Sequence, residues 1–494
     1  MKVLLVYPIF PDTYWSFRHA LKIEGKRAPF PPLCLLTVAG MLPAAWERKL
    51  VDMNVEELRR EDIEWADIVF VSAMIVQKES LEQVVDLVRS MGKRVAAGGP
   101  FVSTSSDKLP AADHIFIGEA ENTLPEFLHD LELGIARKFY QADERPSLAN
   151  TPTPDFSLID MRHYSAMSLQ YSRGCPFNCE FCDIIEIYGR VPRTKSNEQM
   201  LAELDALKAA GWRGMVFIVD DNFIGNKKNV RQLLPALLEW SRANGEPFTF
   251  ITEASINLAE DEALLQLMQD VGFKRVFLGI ETPVEESLKL ANKGQNTKRN
   301  LLDSIRKIQS YGLEVMGGFI VGFDNDPEDI FERQMTFIRE SGIPLAMVGL
   351  LSALPDTQLW RRLNKEGRLL NVTTGNNTDC SLNFIPKMDK DKLVAGYKRV
   401  LRNIYSPKEY YARALTCLAR ARKGKNAMLR RDLKDDLRSF IKLIVTLGIR
   451  DRARLHFWSY FYKLVLRHPR DLAHGLTLAA MGYHFRLITE KYTA

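Results

Sequence analysis

The sequence predicts an α/β protein with an N-terminal doubly wound parallel sheet, a central incomplete (β/α)6 barrel and a C-terminal basic helical domain. Three observations carry this expectation. Short, continuously apolar runs alternate with amphipathic stretches across residues 1–135 and again across 166–384, as strands buried on both faces of a parallel sheet require. An aperiodic, proline-containing segment at 136–165 separates the two runs and reads as a linker. The charge balance then inverts: from Lys390 onward 24 Lys and Arg stand against 8 Asp and Glu, whereas the preceding residues carry 43 basic and 54 acidic side chains. That inversion places a fourth segment, 385–494, in a domain of its own.

In the first segment KVLLVYP, RKLVDMN, DIVFVSAM, RVAAGGP and HIFIGEA are the strand candidates, with SLEQVVDLVRSMG as a helix between the third and fourth. Loops at the carboxyl ends of such strands form the ligand crevice of a doubly wound sheet. Here they hold Asp52 to Asn54, Ser72 to Met74, Gly98-Gly99-Pro100 and Gly118-Glu119. The second segment offers six strands, MSLQYSR, MVFIVDD, FTFITEA, RVFLGIE, EVMGGFIVG and AMVGLLS. Ser196 followed by Gln199 makes a capping-box start for the helix NEQMLAELDALKAAG. A parallel barrel carries its chemistry at the carboxyl ends of its strands, where the cysteines, Asp220-Asp221-Asn222, Glu253, Glu281 and Gly322 fall. The final segment, rich in Lys, Arg, Leu and aromatics, reads as helices.

Composition narrows the classes. A chain of 494 residues with 46% hydrophobic and 26% charged residues exceeds one ordinary core and is not a disordered chain. No apolar run reaches the roughly eighteen residues of a bilayer span. MKVLLVYPIFPD is followed by no small-residue cleavage site, so it reads as a buried strand and the expected compartment is the cytoplasm. Six cysteines are too few for a disulfide framework, and Cys34, Cys380 and Cys417 are scattered singly as small hydrophobes. The other three stand together.

That trio, in YSRGCPFNCEFCDIIEIYGRVPR, is Cys175, Cys179 and Cys182 at spacing C-x3-C-x2-C. Structural zinc wants four ligands, usually as two pairs, so a zinc knuckle would need a distant histidine such as His163. Soft thiolates suit an iron–sulfur cluster, and three of them leave one iron of a four-iron cluster open to a ligand. The aromatic Phe181 before the last cysteine favours the cluster.

A C-x3-C-x-aromatic-C motif after the first strand of an incomplete barrel resembles the radical S-adenosylmethionine (SAM) superfamily. The resemblance covers about 166–370. It implies a [4Fe–4S] cluster on the three cysteines, SAM chelated by the open iron, and cleavage of SAM to a 5′-deoxyadenosyl radical that abstracts hydrogen from substrate. It further implies that Asp220, Asp221 and Asn222 contact the SAM amino group, that Glu253 and Ser255 hold the ribose, and that Gly279 and Glu281 lie beside the adenine, with Phe181 close by. A solvated strand-end carboxylate is the bland alternative for each acid.

A parallel α/β domain ahead of such a barrel resembles the cobalamin-binding arrangement. Asn54, Ser72, Met74, Gly98, Gly99, Gly118 and Glu119 are the residues this resemblance places against cobalamin. The D-x-H-x-x-G signature, whose histidine would ligate cobalt, is replaced by Asp52-Met53-Asn54-Val55-Glu56-Glu57. The expectation is cobalamin bound without a protein imidazole; a vestigial domain is the alternative. Together with CDIIEIYGRVPRTKS and the basic tail, the chain resembles the group that includes the hopanoid methylases, which implies methyl transfer to an unactivated carbon of an apolar or lipid-like small molecule, with flavodoxin or ferredoxin as electron donor. A radical SAM cyclase or rearrangement enzyme, and a non-catalytic iron–sulfur or corrinoid-binding regulator, are the rivals. A methylthiotransferase would need a second cluster, and the first domain offers only Cys34.

In the tail, HFWSYFYKLVLRHPRDLAHGLTLAAMGYHFRLI mixes Trp, Tyr and Phe with Arg and Lys. This suits peripheral membrane contact, an ordinary helical cap or, less well, nucleic acid.

Overall fold

The structure, a computed structural model, describes residues 1–105, 109, 111–370, 373–376, 378–420 and 433–493. Its first sheet is parallel throughout. Strands β1 (Lys2–Tyr7), β2 (Glu47–Asp52), β3 (Ile68–Ser72), β4 (Arg94–Gly98), β5 (His114–Ile117) and β6 (Phe139–Gln141) lie in the order β2-β1-β3-β4-β5-β6. The order reverses beside β1, the kind of switch point where doubly wound sheets take ligands. β6 is a departure from expectation. Only three residues long, it lies in the segment read as a linker and pairs Ile115 with Phe139 at the sheet edge.

Both faces of this sheet are apolar because both are covered. Val3 and Leu5 of β1 join a cluster with Leu35, Leu36 and Ala39 of the helix Leu33–Met41, on the side shared with the barrel. Leu4 and Val6 turn to Leu81, Val84, Val85 and Val88 of the helix Lys78–Ser90. Each Val or Leu side chain so withdrawn from water contributes about 1.5–3 kcal/mol.

The second sheet follows. β7 (Met167–Leu169) leads into a small antiparallel hairpin, β8 (Ser172–Arg173) with β9 (Arg193–Thr194). Then come β10 (Gly214–Ile218), β11 (Phe248–Ala254), β12 (Phe273–Glu281), β13 (Glu314–Val321) and β14 (Ala346–Leu350). The order β14-β13-β12-β11-β10-β7 is that of six parallel strands in sequence, an open partial barrel with helices between successive strands. The capping box forms: Ser196 Oγ accepts from Gln199 N at 3.2 Å and Gln199 Oε1 accepts from Ser196 N at 3.0 Å.

The tail is helical and finishes the barrel. Leu393, Tyr397, Val400, Leu401 and Ile404 form the buried stripe of the helix Lys390–Ile404. The hydroxyls of Tyr397 and Tyr405 donate to the carbonyls of Val348 and Ala346 at 3.1 and 2.6 Å, covering the exposed edge of β14. Arg275 of β12 and Glu314 of β13 make a buried ion pair, and half-buried His474 of the last helix, Leu472–Thr493, meets the same carboxylate and ties barrel to tail. The same helix reaches the first domain. Tyr14 stacks on Phe485 with ring centroids 4.8 Å apart and its hydroxyl meets Thr489 Oγ1 at 2.9 Å, while His484 Nε2 lies 3.2 and 3.1 Å from the carbonyls of Thr13 and Tyr14. Among the described residues no helix is long and apolar enough to cross a membrane.

Candidate active site

The hairpin β8–β9 closes the loop that carries the three cysteines. Gly174 opens it at φ +96°, and a Cβ there would meet the carbonyls of Gly189 and Val191 at 2.9 Å, so only glycine fits. Cys175 N donates back to Gly189 O at 3.1 Å. Asp220, fully buried beyond β10, accepts from Tyr171 N at 2.7 Å and Ser172 Oγ at 2.6 Å, which pins the base of the loop to the neighbouring strand. Asn222 aims Nδ2 at Cys175 Sγ, 3.8 Å away, and its Oδ1 accepts from Ser255 N and Oγ at 3.2 and 3.3 Å. Gln295 Nε2 points at Cys179 Sγ from 3.5 Å.

Among the described residues no trio of His, Cys, Asp or Glu converges on a single-ion site. His163, the candidate fourth zinc ligand, faces Asp160 at 3.6 Å. Three separated soft donors without a fourth, two of them approached by amide N–H groups, suit a multi-iron cluster with one open corner.

Beside the loop stands a group of acids. Asp221 is pushed up to about 7, first by burial and then by Asp220 and Asp183. Glu253 is pushed up to about 8 by burial and then by Asp221 and Asp220. Asp221 Oδ2 is buried with no hydrogen-bond partner. Such a site is complementary to a ligand that brings positive charge and donors, as the sulfonium and ammonium of SAM do. Glu281 sits at φ +65° where the β12–β13 register shifts, and its carboxylate is 2.6 Å from Lys293 Nζ. A Cβ on Gly279 would lie 2.6 Å from Glu281 Oε1 and 2.8 Å from Lys293 Nζ, so that position is bare to keep this pair in place.

All of this opens on one cavity of about 1040 Å³ between the carboxyl ends of the two sheets. Of the residues singled out from the sequence, Phe181, Asp221, Glu253, Gly279 and Glu281 line it from the barrel. Asp220, Asn222 and Ser255 stand behind the wall, bonded to the backbone, the hydroxyls and the cysteine already named. Asn54, Ser72, Met74, Gly98, Gly99, Gly118 and Glu119 all line it from the first domain. Gly99 takes φ +95°, and a Cβ there would lie 2.5 Å from Ser72 Oγ and 3.1 Å from the Ala73 backbone. Asn54 occupies the place of the missing imidazole, but its side chain is used locally: Oδ1 accepts from Phe10 N at 2.8 Å, and Nδ2 donates to Asp52 Oδ1 and Pro8 O at 2.8 and 3.2 Å. No histidine is among the described residues lining the cavity. A broad crevice with bare glycine backbone on its floor and no imidazole fits a corrin held without a protein lower ligand.

The structure adds Arg173, Arg193 and Glu121, which sequence reasoning missed, as partners of one another and of Glu119. Glu119 bonds Arg173 Nη1 at 2.7 Å and Arg193 Nη2 at 2.6 Å, all with little exposure, and Glu121 bonds Arg173 Nη2 at 2.9 Å. This network joins the first domain to the hairpin two residues before Cys175. Tyr188 and Cys34 also line the cavity; Cys34, expected from the sequence to pack as a small buried hydrophobe, is instead exposed to it, because it sits in the first turn of the helix Leu33–Met41 at the crevice mouth. YGR and the two arginines were visible in the sequence, but nothing there paired them with Glu119.

This is the architecture of a radical SAM enzyme that carries a cobalamin-binding domain. The models of three families match in series: the B12 binding domain over residues 27–128, the radical SAM superfamily over 169–338, and a domain of unknown function, DUF4070, over 357–494. An uncharacterized methyltransferase of Synechocystis sp. is 42% identical over 98% of this chain and 91% of its own length. The hopanoid C-2 methylase of Rhodopseudomonas palustris is 34% identical over 98% of this chain and 92% of its own. The fold is also that of the cobalamin-dependent SAM radical enzyme OxsB, whose structure has aqua-cobalamin and SAM bound (TM-score 0.62, 17% identity, 99% of this chain and 79% of that one). It is shared by the radical SAM methyltransferase TsrM of Kitasatospora setae (TM-score 0.62, 13% identity, 96% and 99%). The chain belongs to the family of cobalamin-dependent radical SAM methyltransferases; it is an enzyme, and its cofactors are a [4Fe–4S] cluster, SAM and cobalamin.

Proposed function

We propose that the enzyme methylates an unactivated carbon of an apolar, lipid-like small molecule in the cytoplasm, with a flavodoxin or ferredoxin as electron donor. The observation that carries this is the cavity walled by both sheets, whose barrel side beyond the acids is apolar, with Phe277, Phe319, Met347, Leu350 and Leu351 on it, and with Trp15 of the first domain set against Phe277 at 5.4 Å between ring centroids. When bound, the cluster and SAM supply hydrogen abstraction and cobalamin supplies the methyl group.

The chain's own residues divide the remaining work. Cys175, Cys179 and Cys182 hold the cluster, with Asn222 and Gln295 donating to two of the sulfurs. Asp221 and Glu253 accept from the cationic amino acid and hydroxyl groups of SAM, while Phe181, Gly279 and the Glu281–Lys293 pair shape the rest of its site. Asp220 and Ser255 hold that wall from behind. Asn54, Ser72, Met74, Gly98, Gly99, Gly118 and Glu119 form the corrin side. The apolar wall excludes water, which protects a reactive carbon centre from side reactions.

The test is anaerobic purification, analysis of bound corrinoid, and turnover with methyl-labelled SAM. The label should appear in the product. Gly99→Leu, which puts bulk against Ser72 and Ala73, should remove bound corrinoid and methyl transfer while iron content and SAM cleavage persist. A preparation that modifies its substrate without any corrinoid sinks the methyl-transfer reading and promotes a cyclase.

A further inference from the structure

Half of the large apolar side chains that are exposed among the described residues fall between 437 and 466. They are not scattered. The helix Arg454–Arg467 packs Phe457, Tyr460 and Leu464 against the protein, yet its opposite face carries Leu455, Trp458, Tyr462 and Leu466, at the three- and four-residue spacing of one stripe. Leu455 is 77% exposed and Tyr462 67%. The helix Leu433–Leu443 repeats the pattern with Leu437, Phe440 and Ile441 exposed. The connecting segment Ile444–Arg450 is tied to the helix Arg454–Arg467 where Trp458 Nε1 donates to Gly448 O at 2.9 Å. Stripes of this size on a soluble surface mark something that covers them.

Their flanks say what. Arg438, Arg454, Lys463 and Arg467 are exposed and make no ion pair among the described residues. From Lys390 onward basic residues outnumber acidic ones by 24 to 8, so a second copy of this surface would meet like charge. Trp and Tyr with an apolar body and a polar tip, rimmed by Arg and Lys, match the headgroup zone of an anionic bilayer. Among the described residues no helix is long and apolar enough to span one, so the contact lies in the plane of the surface. The helix Leu433–Leu443 rests on the helix Arg18–Glu24, where Ser439 Oγ donates to Glu24 O at 3.5 Å, and Arg18 at the start of that helix lines the cavity.

We propose that the face formed by residues 437–466 docks the enzyme on the surface of an anionic phospholipid bilayer, with the cavity wall one helix away. The docking goes beyond the substrate assigned above and stands apart from it, because vesicle binding needs no turnover.

The test is flotation of the cluster-loaded full-length protein with vesicles. The protein should float with mixed phosphatidylglycerol–phosphatidylcholine vesicles, far less with phosphatidylcholine alone, and less at about 1 M salt, where screening acts within about 3 Å. The double variant Tyr462→Glu/Leu466→Glu should lower partitioning roughly tenfold or more, and Arg454→Glu/Lys463→Glu should abolish the preference for anionic lipid. Both variants should keep the wild-type iron and corrinoid content and melting temperature. Should a variant fail to fold, the lipid and salt arms on the wild-type protein decide alone. Absence of flotation, equal binding to both vesicle types, or a wild-type dimer in sedimentation that Tyr462→Glu converts to monomer would each overturn the proposal. Failure of methyl transfer would leave these readouts untouched.

Discussion

Glu119→Gln isolates the tie between the two domains. The substitution keeps the shape of the side chain and removes the charge that two guanidiniums share. Breaking a buried ion pair by removing one partner costs about 3–5 kcal/mol, because the other charge stays buried. Here the loss is cushioned: Arg173 retains Glu121 at 2.9 Å, and Arg193 retains the carbonyls of Pro146 and Tyr188 at 2.6 and 3.2 Å. The expected cost is therefore the low end, about 3 kcal/mol, or a fall in melting temperature of about 3 °C for a chain of 494 residues. Scanning calorimetry of the cluster-loaded protein under anaerobic conditions reads it. Adding Arg193→Met should recover roughly half of the loss, since the orphaned guanidinium is then gone. The reasoning is refuted if Glu119→Gln melts within about 1 °C of wild type, or if it leaves stability alone and lowers only corrinoid affinity, which would make Glu119 a ligand contact and nothing more.

Cys175→Ala, Cys179→Ala and Cys182→Ala should each abolish SAM cleavage and lower bound iron from the about four atoms of a cubane cluster, whereas Cys380→Ala, whose Sγ meets Tyr492 O at 3.3 Å, should do neither. Elemental analysis and product chromatography decide this, and a triplet variant that still cleaves SAM would overturn the cluster assignment. Glu253, pushed up to about 8, is mostly protonated at neutral pH and binds a cation best when ionised. SAM affinity should therefore rise as pH climbs through about 8 and fall below it, measured by equilibrium dialysis. Glu253→Gln should flatten that profile and weaken binding about tenfold, about 1.4 kcal/mol, at about pH 9; an unchanged profile would remove Glu253 from the SAM site.

All six barrel strands and the first five of the other sheet were legible, because continuous runs such as VLLV and FTFIT have no other stable use than a strand covered on both sides. β6 was not, since Phe-Tyr-Gln between charged residues carries no period and is held at the edge by Ile115. β8 and β9 are two residues each and exist only because the loop between them must close. The position of the cysteines, in the loop beyond the first barrel strand, was legible from the sequence. The division of labour between Asp220 and Asp221 was not: adjacent and identical in type, they differ in that one turns to Tyr171 and Ser172 and the other to the cavity. Likewise Glu119 and Arg173, 54 residues apart, meet only because the two sheets face each other.

The clasp of Tyr14 by His484, Phe485 and Thr489 bears on the order in which the molecule is made. The first sheet is complete once β6 has been synthesised, but its clasp arrives some 350 residues later. At about 5–20 residues per second the ribosome takes on the order of half a minute to cover that distance. A first domain that folds as it is made, as N-terminal domains generally do, stands through that interval with its ligand crevice unroofed, until first the barrel and last the final helix arrive. A ligand as bulky as a corrin meets an open shelf then and a walled chamber afterwards, so loading during synthesis and loading of the finished enzyme are kinetically different processes.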